Sequence, residues 1–198
     1  MSAHAEAHHH GPPEAHKSSR VDAATLGMLL FIASEIMLFG SFFTAYFFIR
    51  VNGNAEWPLE PFELPKFVAG VNTAILVTSS FTIHWALQSI KRGSRAGLQA
   101  GLVLTLALGL TFLLTQVREY SRVGFSPHDG AFGTIFYGLT GLHGAHVFVG
   151  LTLLTFATVR AFRGHFTAAH HHGVEVPGIY WHFVDVMWIV VYATIYLL

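Results

Sequence analysis

The chain has 198 residues, of which 53% are hydrophobic and only 11% are charged, and its formal net charge is zero. A soluble globular domain carries about a quarter charged residues, so this composition indicates a membrane protein. The zero net charge gives no indication of nucleic acid or another strongly charged partner. The absence of cysteine from the sequence excludes disulfides and thiolate metal sites.

The first 22 residues differ in composition from the rest of the chain. They are polar, rich in alanine, histidine and proline, and lack the apolar run of a signal peptide. We predict a disordered cytoplasmic tail over residues 1–22, with adventitious metal binding by its histidines as the alternative. Residues 23–198 are predicted to form a single transmembrane domain.

Five apolar segments follow the tail, and each exceeds the roughly 20 helical residues that cross a bilayer. The predicted helices are Ala23–Ile49, Phe67–Ile90, Ala96–Val117, Gly130–Phe162 and Gly178–Leu198. The predicted fold class is therefore all-α, an integral membrane bundle of five transmembrane helices. Small residues at three-to-four spacing predict a central position for the fourth helix. Pro177 is expected to precede the start of the fifth helix.

Lysine and arginine divide unevenly between the two ends of these segments. Seven of the 11 lie in the tail, in the second connection and around the end of the fourth segment, and four lie in the first and third connections. The positive-inside rule then places the N-terminus in the cytoplasm and the C-terminus outside.

Glu35 lies in the apolar stretch FIASEIMLFGSFF, about twelve residues into the first segment and so near mid-bilayer. A charge at that depth costs roughly 2.5–3.5 kcal/mol on insertion scales, so burial favours the neutral carboxylic acid. A neutral carboxyl still needs hydrogen-bond partners. The sequence leaves two roles open: a fixed hydrogen bond between helices, and a proton-exchanging group beside a water-filled path.

Two pairs of polar residues lie within predicted helices at a spacing of three, which places each pair on one helix face. His143 and His146 suit either a metal site completed by other helices or, as the preferred interpretation, histidines hydrogen-bonded between helices. His182 and Asp185 could fix a histidine tautomer or transfer a proton. The preferred interpretation is that they form a structural bridge between helices.

The third segment ends in a charged stretch. We predict an interfacial charge network formed by Arg118, Glu119 and Tyr120, in which Glu119 has a structural role. Interfacial or helix-packing positions are expected for three tryptophans, Trp57, Trp181 and Trp188.

Two other classes of protein remain as alternatives at this point. A histidine cluster on the cytoplasmic side, His165, His170, His171 and His172, suits a desaturase or hydroxylase with two irons. Because His143 and His146 lie roughly 20 Å deeper, at 1.5 Å per residue, the two groups do not converge easily. A proton-coupled transporter or channel is the second alternative, although the helices look continuous and no internal repeat is evident.

Several motifs occur together in a fixed order. They are FIASEIMLFGSFF, WPLEPFELP with VNTAILVTSS, REYSRVGFSPHDGAFGTIFYGLTGLHGAHV and HFTAAHHHGVEVPGIYWHFVDVMW. In order and spacing they resemble the membrane glutamate motif, the Trp-Pro loop, the paired-histidine stretch and the C-terminal signature of subunit III of the heme–copper cytochrome c oxidases. The resemblance covers residues 23–198.

This resemblance implies a subunit with no catalytic residue that binds neither heme nor copper itself. Hemes and copper are then expected in the partners, subunit I as the main contact and subunit II. The implied role is to stabilise an enzyme complex that reduces oxygen and pumps protons. By the same resemblance, Glu35 is the proton-linked carboxyl that reacts with hydrophobic carbodiimides, and Arg160 contacts a phospholipid phosphate.

The chain resembles the shorter, bacterial members of that family. It has five segments and begins where the third helix of the longest members would, so we expect a bacterial plasma membrane. Part of the lipid cleft of the long members is formed by the two helices that this sequence does not contain. The C-terminal signature is nearer to the cytochrome c branch, with quinol as the alternative electron donor.

Overall fold

The computed structural model describes residues 22–53, 64–168 and 170–198. Within them the chain forms helices and no strand. The helices are α1 (Ala23–Asn52), α2 (Lys66–Lys91), α3 (Arg95–Tyr120), α4 (Gly130–Phe162) and α5 (His172–Tyr192), and a π-helical turn, Ala193–Leu197, continues α5. Trp57 and the predicted tail, except Asp22, lie outside the described residues.

All five helices are long and apolar enough to cross a membrane. Counting the π-helical turn with α5, they have 26 to 33 residues. At 1.5 Å per residue this is about 39–50 Å, more than the roughly 30 Å of a hydrocarbon core. The prediction of an all-α bundle of five transmembrane helices is confirmed.

The predicted start of the fifth helix is wrong. Helix α5 begins at His172, six residues before Gly178, and Pro177 lies inside it. A proline removes one backbone donor, and this is tolerated best near the beginning of a helix. The first turn is held by Glu175, whose Oε1 lies 2.8 Å from Nζ of Lys91 at the end of α2. A carboxylate in the first turn also interacts favourably with the helix dipole.

Helix α5 is the most buried of the five and α1 the least. Helix α5 packs against α1, α2 and α4, whereas α1 packs chiefly on α4 and α5. Helix α4 also contacts three helices, α1, α3 and α5. Most of the surface of α1 is therefore left for lipid or for another protein.

Trp181 explains the central position of α5. Its ring is fully buried and lies against two glycines, Gly109 on α3 and Gly150 on α4. A Cβ atom at Gly109 would lie 2.6 Å from the ring, and one at Gly150 would lie 2.8 Å from it. Because no side chain fits at either position, the two glycines allow the largest side chain of the core to fill the space between three helices.

Candidate functional site

Glu35 and His146 form a pair that joins α1 to α4. Oε2 of Glu35 lies 2.8 Å from Nε2 of His146, although the two residues are 111 positions apart in the sequence. Their side chains are 15% and 11% exposed, respectively. The carboxyl is therefore close to the surface of the bundle but faces inward, toward its partner.

The hydrogen bonds of His146 determine where a proton can reside. Nδ1 lies 2.8 Å from the carbonyl oxygen of Leu142, which only accepts hydrogen bonds, so Nδ1 donates. The contact between Nε2 and Glu35 then contains one shared proton. That proton belongs to the carboxyl when both groups are neutral, and to the imidazole when they form an ion pair.

Aromatic side chains surround this pair. The rings of Phe39 and Phe183 lie 5.0 and 6.4 Å from the ring of His146, measured between centroids. The hydroxyl of Tyr180 donates a hydrogen bond of 3.3 Å to the backbone carbonyl of His146. Apolar surroundings strengthen the hydrogen bond between carboxyl and imidazole and make an unpaired charge costly.

A second carboxyl and imidazole pair joins α5 to α2. Asp185 and His182 both contact the hydroxyl of Ser80 on α2, with Nδ1 of His182 at 2.9 Å from Oγ. Asp185 is 3% exposed, so this carboxyl is more deeply buried than Glu35. The spacing of His182 and Asp185 placed them on one face of the helix, but nothing in the sequence indicated Ser80 as the group that connects them.

His143 is placed differently from His146, three residues further along α4. Its side chain is fully buried, and neither ring nitrogen has a hydrogen-bond partner among the described residues. The ring packs against Trp188, with 4.8 Å between centroids, and edge-on against Phe112 at 5.7 Å. The predicted hydrogen bond between helices is absent from the part of the chain that the structure describes.

Trp181 and Trp188 are buried in the bundle, where both form hydrogen bonds and pack helices together. Nε1 of Trp181 donates to Oγ of Ser79 at 2.8 Å, and Nε1 of Trp188 donates to Oγ1 of Thr73 at 2.9 Å. Both acceptors lie on α2. These bonds satisfy the polar ends of the two indoles and fix α5 against α2.

Glu119 lies at the opposite end of α3 from Arg95 and is 9% exposed. No ion pair involves Glu119 within the described ranges, so the predicted charge network with Arg118 does not form there. Tyr120 instead donates a hydrogen bond of 2.9 Å to Thr140 on α4. This end of the bundle is joined by hydroxyl groups.

The chain matches known proteins over nearly its whole length. Residues 4–198 match the family described as Cytochrome c oxidase subunit III. The chain is 40% identical over 184 residues to cytochrome c oxidase subunit 3 of Thermostichus vulcanus, which covers 92% of this chain and 91% of that protein. It belongs to the cytochrome c oxidase subunit III family. The resemblance stated from the motifs is thereby confirmed.

Longer animal relatives match as well. The chain is 41% identical over 180 residues to cytochrome c oxidase subunit 3 of Oryctolagus cuniculus, covering 86% of this chain and 67% of that protein. It is 40% identical over 198 residues to that of Cyprinus carpio, covering 95% and 72%. Membership of the subunit III family makes this chain a multi-pass membrane component of an oxidoreductase complex, the heme–copper oxidase.

The subunit III family assignment leaves the iron-enzyme alternative without support. No group of three or more His, Cys, Asp or Glu residues in the described ranges could hold a metal ion. His171 and His172 contact the carboxylate of Glu175, at 3.3 and 3.1 Å. One ring nitrogen of each of these two histidines is therefore engaged with the Glu175 side chain at the start of α5.

Arg160 lies in the last turn of α4 and is exposed. Its guanidinium lies over the ring of Phe166, 5.4 Å from the centroid. No carboxylate of the described residues lies within ion-pair distance of it. A guanidinium of this kind can bind an oxyanion through its outward N–H groups.

Proposed function

We propose that this subunit III supports the catalytic subunit of its oxidase through a shared proton held by Glu35 and His146 inside the membrane. The observation that carries the proposal is the 2.8 Å contact between Oε2 and Nε2. Since Nδ1 of His146 already donates to Leu142, the remaining nitrogen meets the carboxyl with only one proton between them. Such a pair exchanges a proton without placing a lone charge in hydrocarbon.

The pair is located where a partner could influence it. Glu35 belongs to α1, the helix with the least buried surface, and both side chains of the pair retain some exposure. We propose subunit I as the main contact and subunit II as the second partner. We propose that those subunits bind the hemes and copper and that this chain binds neither. The proposed contribution of this chain is to stabilise the active site of its partner during turnover.

Carbodiimide labelling tests the proton-linked role of Glu35. A hydrophobic carbodiimide reacts with a protonated carboxyl in an apolar site, so Glu35→Gln should abolish labelling of this chain. Glu119→Gln is the matched control, because it removes another largely buried carboxyl. The heme spectrum of the complex should be unchanged in both variants, and the activity of Glu35→Gln should decay faster during turnover.

Two outcomes of that experiment would contradict the proposal. Labelling that persists in Glu35→Gln would assign the reactive carboxyl to another residue. A turnover lifetime equal to that of the wild type would show that the pair does not support the active site.

The partners and the electron donor are tested by purification in mild detergent. We propose cytochrome c as the donor, because the relatives named above are cytochrome c oxidase subunits. The chain should be recovered with heme-containing partners, and the complex should oxidise reduced cytochrome c. Oxidation of a quinol in place of cytochrome c would support the alternative donor.

We propose that the protein lies in a bacterial plasma membrane with its N-terminus in the cytoplasm. The uneven division of lysine and arginine supports the orientation. Because the chain contains no cysteine, single cysteines can report its orientation. A membrane-impermeant maleimide should label Ser121→Cys in intact cells and should label Arg92→Cys only after lysis. The reverse pattern would invert the proposed topology.

We propose that the chain binds phospholipid, with Arg160 contacting a phosphate. A guanidinium at a helix end lies at the depth of lipid headgroups. An open apolar groove of about 530 Å³ beside the first half of α3 is the proposed place for an acyl chain, and it is lined by Ala96, Gln99, Ala100, Val103, Leu104, Ala107 and Phe162. Arg160→Gln should reduce the phospholipid that co-purifies with the complex, and Arg163→Gln is the matched control. Equal lipid content in the two variants would rule out a special role for Arg160.

A further inference from the structure

We propose that Asp185, Ser80 and His182 form a second proton-binding site, which gains and loses its proton through His84 on the next turn of α2. This site is separate from Glu35 and His146 and does not depend on the role proposed for them. Its members come from α2 and α5, whereas the first pair comes from α1 and α4.

The serine hydroxyl connects the two titratable groups. Oγ of Ser80 contacts both Nδ1 of His182 and Oδ2 of Asp185. A hydroxyl has one hydrogen, so when it donates to one group its oxygen accepts from the other. If Ser80 donates to the Asp185 carboxylate, Nδ1–H of His182 donates to Ser80. If Ser80 donates to Nδ1, the protonated carboxyl of Asp185 donates to Ser80.

Reversing both hydrogen bonds moves one proton from imidazole to carboxyl. In this step Nδ1 of a doubly protonated His182 gives its proton to Oγ, and Oγ gives its own proton to Oδ2 of Asp185. The imidazolium and carboxylate become neutral imidazole and neutral carboxylic acid, so the site holds the same single proton throughout. Its net charge changes only when Nε2 of His182 gains or loses a proton.

The position of His182 allows its Nε2 to exchange a proton with groups outside the site. His182 is partly exposed and contacts Ser80, and His84 lies four residues from Ser80, one turn further along the same face of α2. Helices α2 and α5 approach closely here, since a Cβ atom at Gly178 would lie 3.2 Å from the side chain of Leu87. His84 is therefore about one helical turn from the residue that binds His182, which makes it the proposed carrier of the proton.

A stripe of polar residues continues from His84 along α2. Ser80, His84 and Gln88 recur at intervals of four, and Lys91 follows after three more, so all four share one helix face. Nε2 of His84 lies 3.5 Å from the side-chain amide of Gln88. At the end of the stripe, Lys91 is paired at 2.8 Å with Glu175 of α5.

Other charged groups packed around the site are few. Helix α4 contributes His143 and His146, which contact Trp188 and Phe183 of α5. Helix α1 contributes Glu35, which is bonded to His146. None of these forms an ion pair with Asp185 in the described ranges, and Oδ1 of Asp185 has no hydrogen-bond partner there. The carboxylate therefore depends on Ser80 and His182 for its stabilisation.

Infrared spectroscopy of the purified oxidase complex tests this site. Glu35→Gln serves as the background, so that the carboxyl of the first pair does not contribute. On this background, a pH-difference spectrum should contain the C=O band of a protonated carboxyl that exchanges in D₂O, and Asp185→Asn should remove it. Ser80→Ala should keep the band but shift it to higher wavenumber, because the hydrogen bond to Oγ is gone.

His84→Leu tests the route, with Thr78→Val as the control on the same helix. Exchange of the Asp185 band in D₂O should become several-fold slower in His84→Leu and remain at the wild-type rate in Thr78→Val. The heme spectrum reports whether each complex is assembled, and Ser80→Ala retains a readout if Asp185→Asn does not assemble. A band that is unaffected by Asp185→Asn and Ser80→Ala would overturn the site. An unchanged exchange rate in His84→Leu would overturn the route.

Discussion

The two carboxyl and imidazole pairs of this molecule differ in how the chain brings them together. Glu35 and His146 meet directly, and each belongs to a different helix. Asp185 and His182 lie three residues apart on α5 and meet through a hydroxyl from α2. The first pair joins α1, the least buried helix, to α4, whereas the second joins α5, the most buried helix, to α2. A carboxyl and an imidazole therefore attach the outer helix α1 in the first pair and connect two inner helices, α2 and α5, in the second.

Removal of the buried carboxyl should have the largest effect on stability. Asp185→Ala removes the carboxyl that accepts a hydrogen bond from Ser80 at a site that is 3% exposed, and the loss of a hydrogen bond to a charged group costs about 1.5–3 kcal/mol. The free energy of unfolding in detergent should fall by this amount. Glu35→Ala, at a site with more exposure, should cost less. An equal or larger loss for Glu35→Ala would contradict the difference drawn between the two pairs.

A double-mutant cycle should detect the direct contact of the first pair. Glu35→Gln and His146→Gln should show a coupling energy of about 0.5–3 kcal/mol, the range for residues that share a hydrogen bond. A cycle of Glu35→Gln with His143→Phe is the control, because His143 forms no hydrogen bond with any described residue. Equal coupling in both cycles would mean that α4 transmits the effect without the contact.

The smallest effect should come from the histidine that belongs to neither pair. His143→Phe replaces two buried nitrogens that lack partners with apolar atoms of similar shape, between Phe112 and Trp188. Replacing an unsatisfied polar group in this way is nearly neutral or stabilising, so the expected change in unfolding free energy is within about 1 kcal/mol. A loss of the size expected for Asp185→Ala would reveal a buried partner, such as an ordered water.

The helices could be predicted from the sequence because spanning a membrane requires long apolar segments. The start of α5 could not, since Pro177 indicates a helix start whereas the ion pair of Glu175 with Lys91 stabilises an earlier one. Small residues on α4 favoured a central α4, but the fit of Trp181 against Gly109 and Gly150 gives α5 the most buried position.

The two carboxyl and imidazole pairs could likewise be predicted only in part from the sequence. The sequence identified Glu35 as unusual because a carboxyl is costly at that depth. It did not indicate His146 as its partner, because helix periodicity relates residues on one helix and carries no information about contacts between helices. Ser80 gave no signal at all, since serines in transmembrane helices commonly bond their own backbone, as Ser79 does with Leu76.

The dependence of α1 on α4 has a consequence for biosynthesis. Glu35 leaves the ribosome 111 residues before His146. At about 5–20 residues per second, translation separates the two by roughly 5–20 s. During that interval the glutamate is in the nascent chain without its imidazole partner, and an unpaired charge at that depth of the membrane is costly. The completion of α4 is therefore the earliest point at which this contact between α1 and α4 can form, and the contacts of α1 with α5 follow later.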